Sequence, residues 1–171
     1  EADNMSLTED SRVNLSTNIT SIANEVRNMS HTFSPILLNT KGLYESIEEK
    51  VKLINTNSTI HLLFEWFEET KKLNPQYEMM VYRIVQEILQ NLLKHSKANH
   101  GLLQIILNQN FVSIYAEDDG VGKNQQQSNG VGLQSIENLI RLLKGTFNIE
   151  SNNETGFSIS IEFNLPTDGK I

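Results

Sequence analysis

Between residues 74 and 95 the apolar side chains Tyr77, Met80, Val81, Ile84, Val85, Ile88, Leu89, Leu92 and Leu93 recur at helical spacing. A helix with so broad an apolar face must be buried along one side, so the rest of the chain has to supply a layer that covers it. Its start is chemically marked, because Asn74 is a good N-cap and Pro75 fits the first helical position. The pattern ends near His95. At about 100° per residue, Glu87, Asn91 and Lys94 fall on one narrow polar stripe along the edge of the buried face. A carboxylate, an amide oxygen and an ammonium in that position suit a metal–phosphate cleft. A solvated helix edge is the ordinary explanation of the same pattern, so the stripe alone decides nothing.

Charge and composition exclude several classes. The chain has 171 residues with a net charge of −7, whereas binding a nucleic-acid backbone demands clustered Lys and Arg; no nucleic-acid partner is expected. It has no cysteine, which removes disulfides, thiolate metal sites and a thiol nucleophile. No apolar run reaches the length of a membrane span and no signal peptide is visible, so these residues are expected to make no membrane contact; a cytoplasmic place is expected for them whether or not the parent protein is membrane-anchored. The sequence starts at Glu1 without an initiator Met, as a piece of a longer protein would.

Ahead of the central helix, Ser6 and Glu9 form a capping-box signal. Leu15, Ile19, Ile22, Val26, Met29 and Phe33 follow at spacings of 4, 3, 4, 3 and 4, the seam of a helical bundle or coiled coil, quite naturally one shared between two chains. Pro35 should end or kink that helix. We therefore divide the chain into a long helix over 1–38 and a domain over 39–171. Leu43, Ile47, Val51 and Ile54 predict a second helix, and residues 59–68 alternate as a strand with Ile60, Leu62, Phe64 and Trp66 on one face. Beyond the central helix, residues 102–107 and 111–117 predict two strands joined by Asn108-Gln109-Asn110 as a hairpin. Residues 123–129 read as a mobile polar loop. Leu133, Ile136, Leu139, Ile140 and Leu143 predict a helix stopped by Gly145. Phe147 and Ile149 mark one last strand; Phe157, Ile159, Ile161, Phe163 and Leu165 mark another. Strict alternation means a sheet with one covered and one wet face, hence an α+β two-layer sandwich.

Three polar clusters stand in order: Glu87/Asn91/Lys94/His95, then Asp118-Asp119-Gly120-Val121-Gly122, then Gly130-Val131-Gly132-Leu133. Asp-Gly pairs form turns and glycines precede many helices, which is the bland reading. In the chemical one, Gly120 and Gly122 let backbone approach a flat ligand, and Asp118 accepts from an exocyclic amine. Gly130-Val131-Gly132 opens a helix whose free amides favour phosphate oxygens. There is no GxxxxGK[ST] loop, and the Gly130 cluster lacks the third glycine and the preceding strand of a dinucleotide fold.

Together the clusters resemble the N box and the two glycine boxes of the ATP-binding domain of sensor histidine kinases, in the Bergerat-type ATPase superfamily. The resemblance runs from about residue 13 to 166, and Arg27 to Gly42 is similar to the end of the second dimerisation helix in the short-lid subfamily. It implies a mixed sheet covered by three helices, preceded by a long dimerisation helix. It implies ATP and Mg²⁺ as ligands, with Asn91 on the metal, Glu87 as or orienting the general base, and Lys94 and His95 on phosphates. Asp118 would recognise the adenine amino group, Gly120 and Gly122 would shape its pocket, Gly130 and Gly132 would hinge the lid, Leu133 would join them in binding the nucleotide, and Ser158 would line the adenine side. Asp119 stands where Asn is common, a change expected to matter little.

The family's reaction moves the γ-phosphoryl of ATP to a histidine, typically followed by an acidic residue, on the first bundle helix, and then to an aspartate of a response regulator receiver domain. His31, His61, His95 and His100 all lack that following acid, so the acceptor is expected upstream of Glu1. Homodimerisation is expected through the amino-terminal helix. His61 is expected to face solvent and His100 to lie in a loop. Two other classes remain: another Bergerat-fold enzyme such as an anti-sigma serine kinase, and a non-catalytic docking module with an idle pocket.

Overall fold

The central helix forms where its pattern puts it, as α2 below. The computed structural model describes residues 41–69, 73–122, 131–152 and 156–166. The chain divides between Thr40 and Lys41, and all these residues belong to the second unit, Lys41–Ile171. The heptad seam, the kink at Pro35, the polar loop over 123–129 and Gly130 lie outside the described residues.

Helix α1 (Leu43–Asn57) buries the predicted Leu43, Ile47, Val51 and Ile54. Strand β1 (His61–Glu68) follows. In α2 (Pro75–Asn91) the Asn74 side chain accepts from the backbone N–H of Gln76, as an N-cap does, and Val81, Ile84, Val85, Ile88 and Leu89 are buried. The helix then widens into one π-helical turn, Leu92–Ser96, which closes at Lys97 in the left-handed conformation. Strands β2 (His100–Leu107) and β3 (Phe111–Asp118) form the expected hairpin. Helix α3 (Val131–Leu142) precedes β4 (Thr146–Asn152) and β5 (Gly156–Asn164).

Two expectations are corrected. The residue that turns left-handed after α3 is Lys144 (φ 55°), so the chain reverses one residue before the predicted stop at Gly145. His100 is not a loop residue: it opens β2, in register with His61 on β1. His61 is exposed, as predicted.

The sheet runs β1-β2-β3-β5-β4. β1 and β2 are parallel and the remaining pairs antiparallel, so it is mixed. A parallel pair needs a long crossover, and α2 supplies it. Among the described residues three helices cover one face: α1 packs on β1, α3 on β4 and β5, and α2 touches both helices. The covered face carries Leu103, Ile105 and Leu107 of β2, Val112, Ile114 and Ala116 of β3, and Ile159, Ile161 and Phe163 of β5, all buried. The fold is the α+β sandwich that the alternating strands predicted. At one end of the sheet, Leu62, Gly101, Asp118, Phe157 and Ser151 form a single cross-strand row on that covered face.

Candidate functional site

The last turn of α2 carries two of the predicted residues. Glu87 and Asn91 are both half-buried, and the Asn91 amide nitrogen donates to Glu87 Oε1 at 3.4 Å. With its nitrogen committed to a carboxylate, Asn91 has its oxygen to offer. Lys94 is exposed, and among the described residues its ammonium forms no ion pair. It follows Asn91 within the π turn, whose i→i+5 bonds widen the helix there. The straight stripe drawn through Glu87, Asn91 and Lys94 assumed α geometry throughout, whereas Lys94 lies in the π turn. His95 belongs to the same turn.

The start of α3 lies directly on this turn. A Cβ built on Gly132 would overlap the Glu87 carboxylate, so glycine is what lets the helix amino terminus approach. Leu133 is 4% exposed; its side chain anchors α3 in the core and does not face the polar cluster.

The Asp118 turn is brought to the same region from the other side. Ser96, at the end of the π turn, accepts the Val121 N–H through its backbone oxygen at 2.8 Å. A Cβ on Gly120 would collide with that same oxygen, and Gly122 takes φ 64°. Asp118 is 8% exposed and occupies the place where the covered-face row Val112, Ile114, Ala116 would next call for an apolar residue. Its Oδ1 accepts from the Gly120 N–H at 2.9 Å. Burial pushes its carboxyl above the usual aspartate range, with the Gly120 N–H opposing and the Asp119 charge reinforcing the shift. Gly156 is pinned as well: its φ is 88° and a Cβ there would collide with the Asp118 backbone oxygen.

Ser158 goes elsewhere. It pairs with Glu117 and Glu150, and cross-strand partners share a face, so it lies on the wet side, away from Asp118. The residue beside Asp118 on the covered side is Phe157, half-exposed and in register with it. Sequence reasoning missed Phe157, although the alternation of Phe157, Ile159 and Ile161 already put it on the face opposite Ser158. A groove of about 720 Å³ opens at this sheet end, between His61, His100 and Asp119. It reaches Asp118 but shares none of Glu87, Asn91, Lys94 or Gly132, so it is a separate feature.

The glycines make a contrast that thermal melting can read. In Gly132→Ala the new methyl meets the movable end of a carboxylate, so the fold should tolerate it while Glu87 shifts off Asn91. In Gly156→Ala the methyl meets backbone at a left-handed position and should cost about 2 kcal/mol or more. Equal melting-temperature losses would refute this reading of the two contacts.

Asp119 was expected to matter little, yet its carboxylate is fully engaged. Oδ1 accepts from the backbone N–H groups of Asn99 at 2.7 Å and His100 at 2.8 Å, and Oδ2 pairs with His100 Nδ1 at 2.9 Å. The backbone N–H of His100, then its side chain, are the main causes that bring the carboxyl from the ordinary 3.8 to about 2. A depressed carboxylate stabilises the fold above its unfolded value and loses that contribution as pH falls through the folded one. The wild type should therefore lose stability between pH 3.8 and about 2 more steeply than Asp119→Asn. Urea midpoints across that window, for both proteins, check the sign; parallel slopes would contradict it.

Residues 76–167 match the model of the family described as histidine kinase-, DNA gyrase B-, and HSP90-like ATPase. The chain belongs to this family. The chain is 31% identical over 161 residues to the sensor histidine kinase ComP of Bacillus subtilis, covering 92% of this chain and 21% of ComP. It is 28% identical over 144 residues to the oxygen sensor histidine kinase NreB of Staphylococcus carnosus, covering 82% of this chain and 42% of NreB. The chain thus spans less than half of the length of these curated relatives. Solved structures agree on the fold. The blue-light activated histidine kinase of Erythrobacter litoralis EL346 superimposes with a TM-score of 0.62 at 16% identity, covering 91% of this chain and 52% of that one. The histidine kinase AdeS of Acinetobacter baumannii gives 0.57 at 15% identity, covering 95% and 87%. In this ATPase domain no helix among the described residues is long and apolar enough to cross a membrane.

Proposed function

We propose that this domain binds Mg²⁺-ATP at the end of α2 and serves a protein-histidine kinase. The observation that carries the reading is the convergence of three sequence-distant clusters there: Gly132 on Glu87, Glu87 on Asn91, and the Asp118–Val121 turn on Ser96. Family membership and the likeness to sensor kinases support it.

Each residue then has a task. Asp118 Oδ2, left over once Oδ1 takes the Gly120 N–H, accepts from the adenine amino group, and Phe157 flanks the base. The amides at the start of α3 are the donors for phosphate oxygens, with Gly132 leaving room for the approach and Lys94 and His95 supplying positive charge. Among the described residues no three His, Asp or Glu side chains form a metal cluster. Mg²⁺ takes one or two protein oxygens and fills its shell with phosphate and water, so one side-chain oxygen is enough. Asn91 Oδ1 is the protein ligand. An ion held there would supply charge neutralisation for the transferring phosphoryl group. Glu87 acts as, or orients, the general base for the attacking imidazole; since none of the four histidines here is followed by an acid, the acceptor is a histidine elsewhere in the kinase. Transfer onward to a response-regulator aspartate, and a homodimer formed through the heptad helix, complete the scheme.

The test is incubation of the full kinase with γ-labelled ATP. An acid-labile, base-stable phosphoprotein supports it, and an acid-stable serine phosphate overturns it. Glu87→Gln should keep Mg²⁺-ATP binding while slowing labelling about 100-fold or more. Labelling at the wild-type rate would remove Glu87 from the chemistry.

A further inference from the structure

We infer that Asp119 is a positioning residue for base recognition: its carboxylate fixes where Asp118 meets the nucleotide base and thereby sets the preference for adenine over guanine. The inference rests on the adenine role proposed above for Asp118.

Asp118 sits at the last position of β3, and what holds the strand's end in place decides where its carboxylate points. Three ties do so. The Asp119 N–H donates to the His100 oxygen at 3.1 Å and the Val121 N–H to the Ser96 oxygen at 2.8 Å. The third tie is the Asp119 carboxylate, which gathers the Asn99 and His100 N–H groups and the His100 ring. All three end on residues 96–100. This segment leads straight out of the π turn, where the Ser96 hydroxyl donates to Leu92 at 2.7 Å and accepts from the Ala98 N–H at 3.1 Å. Asp119 therefore joins the turn that carries Asp118 to the end of the helix that carries Asn91. The two side chains proposed to hold opposite ends of one nucleotide are set apart by this joint.

The joint is exposed, at 46% for Asp119 and 71% for His100, so solvent screens its contribution to global stability. Its effect falls on geometry. A fixed carboxylate accepts from the adenine amine and repels the carbonyl oxygen that guanine carries at the same position; one free to swing discriminates less.

The test is calorimetric titration of Mg²⁺-ATP and Mg²⁺-GTP into the wild type, Asp119→Ala and Asp119→Asn, with melting temperatures alongside. Asp119→Ala should raise the ATP Kd about tenfold, with the GTP-to-ATP Kd ratio falling toward one. Asp119→Asn should restore both, because its oxygen still accepts the two backbone N–H groups and its amide can donate to a neutral His100 ring. An Asp119→Ala protein with an unchanged ratio overturns the inference, as does one in which both Kd values rise in proportion to a fall in melting temperature. Asp118→Asn separates the two levels. If it abolishes the preference while Asp119→Ala does not, only the positioning role fails. If it leaves the preference intact, the adenine assignment fails and the inference goes with it.

Discussion

Replacing Asn91 with alanine should weaken magnesium-dependent ATP binding on the order of 100-fold and leave the fold intact. The side chain is half-buried and makes one long contact, 3.4 Å to Glu87, so its loss should shift stability by no more than about 0.5–1 kcal/mol. Its oxygen, in contrast, is the proposed protein ligand of the metal, which alanine cannot replace. Titrations of ATP into wild type and mutant, with magnesium and with EDTA, isolate the effect. The mutant should bind in magnesium about as weakly as the wild type does in EDTA. An unchanged affinity in magnesium would show that Asn91 is not the ligand.

Asp118→Asn should separate binding from stability in the other direction. Because burial raises the Asp118 pKa, the folded state holds that proton more tightly than the unfolded chain. Stability is then fullest below 3.8 and declines as pH rises through the folded value, so at neutral pH the buried charge is a cost. Asparagine removes the cost and keeps an oxygen for the Gly120 N–H, so the mutant should melt no lower than the wild type at pH 7. With its oxygen so committed, its amide nitrogen faces the adenine amine, donor against donor, and ATP affinity should fall about 10- to 100-fold. A melting temperature that drops in step with affinity would mean that Asp118 matters for folding and not for the base.

The sequence showed most of what rests on periodicity. The buried face of α2, its Asn74 cap, α1, the Asn108–Asn110 hairpin and the alternation of β5 all come from local rules, and each of these segments formed as those rules require. The parts that depend on distant contacts did not show. Nothing in Leu92-Leu93-Lys94-His95-Ser96 announces a π turn, because every residue there suits an α-helix; the turn forms where the chain must leave α2 to reach β2. Asp119 looked neutral because its partners, Asn99 and His100, are close only once β2 and β3 have paired. Ser158 is a different case. It was carried over from a family pattern against the chain's own alternation, which already assigned Ser158 and Ile159 to opposite faces. Local periodicity was the better guide there, and it also points to Phe157.

The most direct measurement is a crystal structure of the domain with Mg²⁺ and a non-hydrolysable ATP analogue. The metal should sit on Asn91 Oδ1, the adenine amino group on Asp118 Oδ2 beside Phe157, and the phosphates at the amino terminus of α3. A nucleotide seated anywhere else, or one whose base ignores Asp118, would contradict the site proposed here.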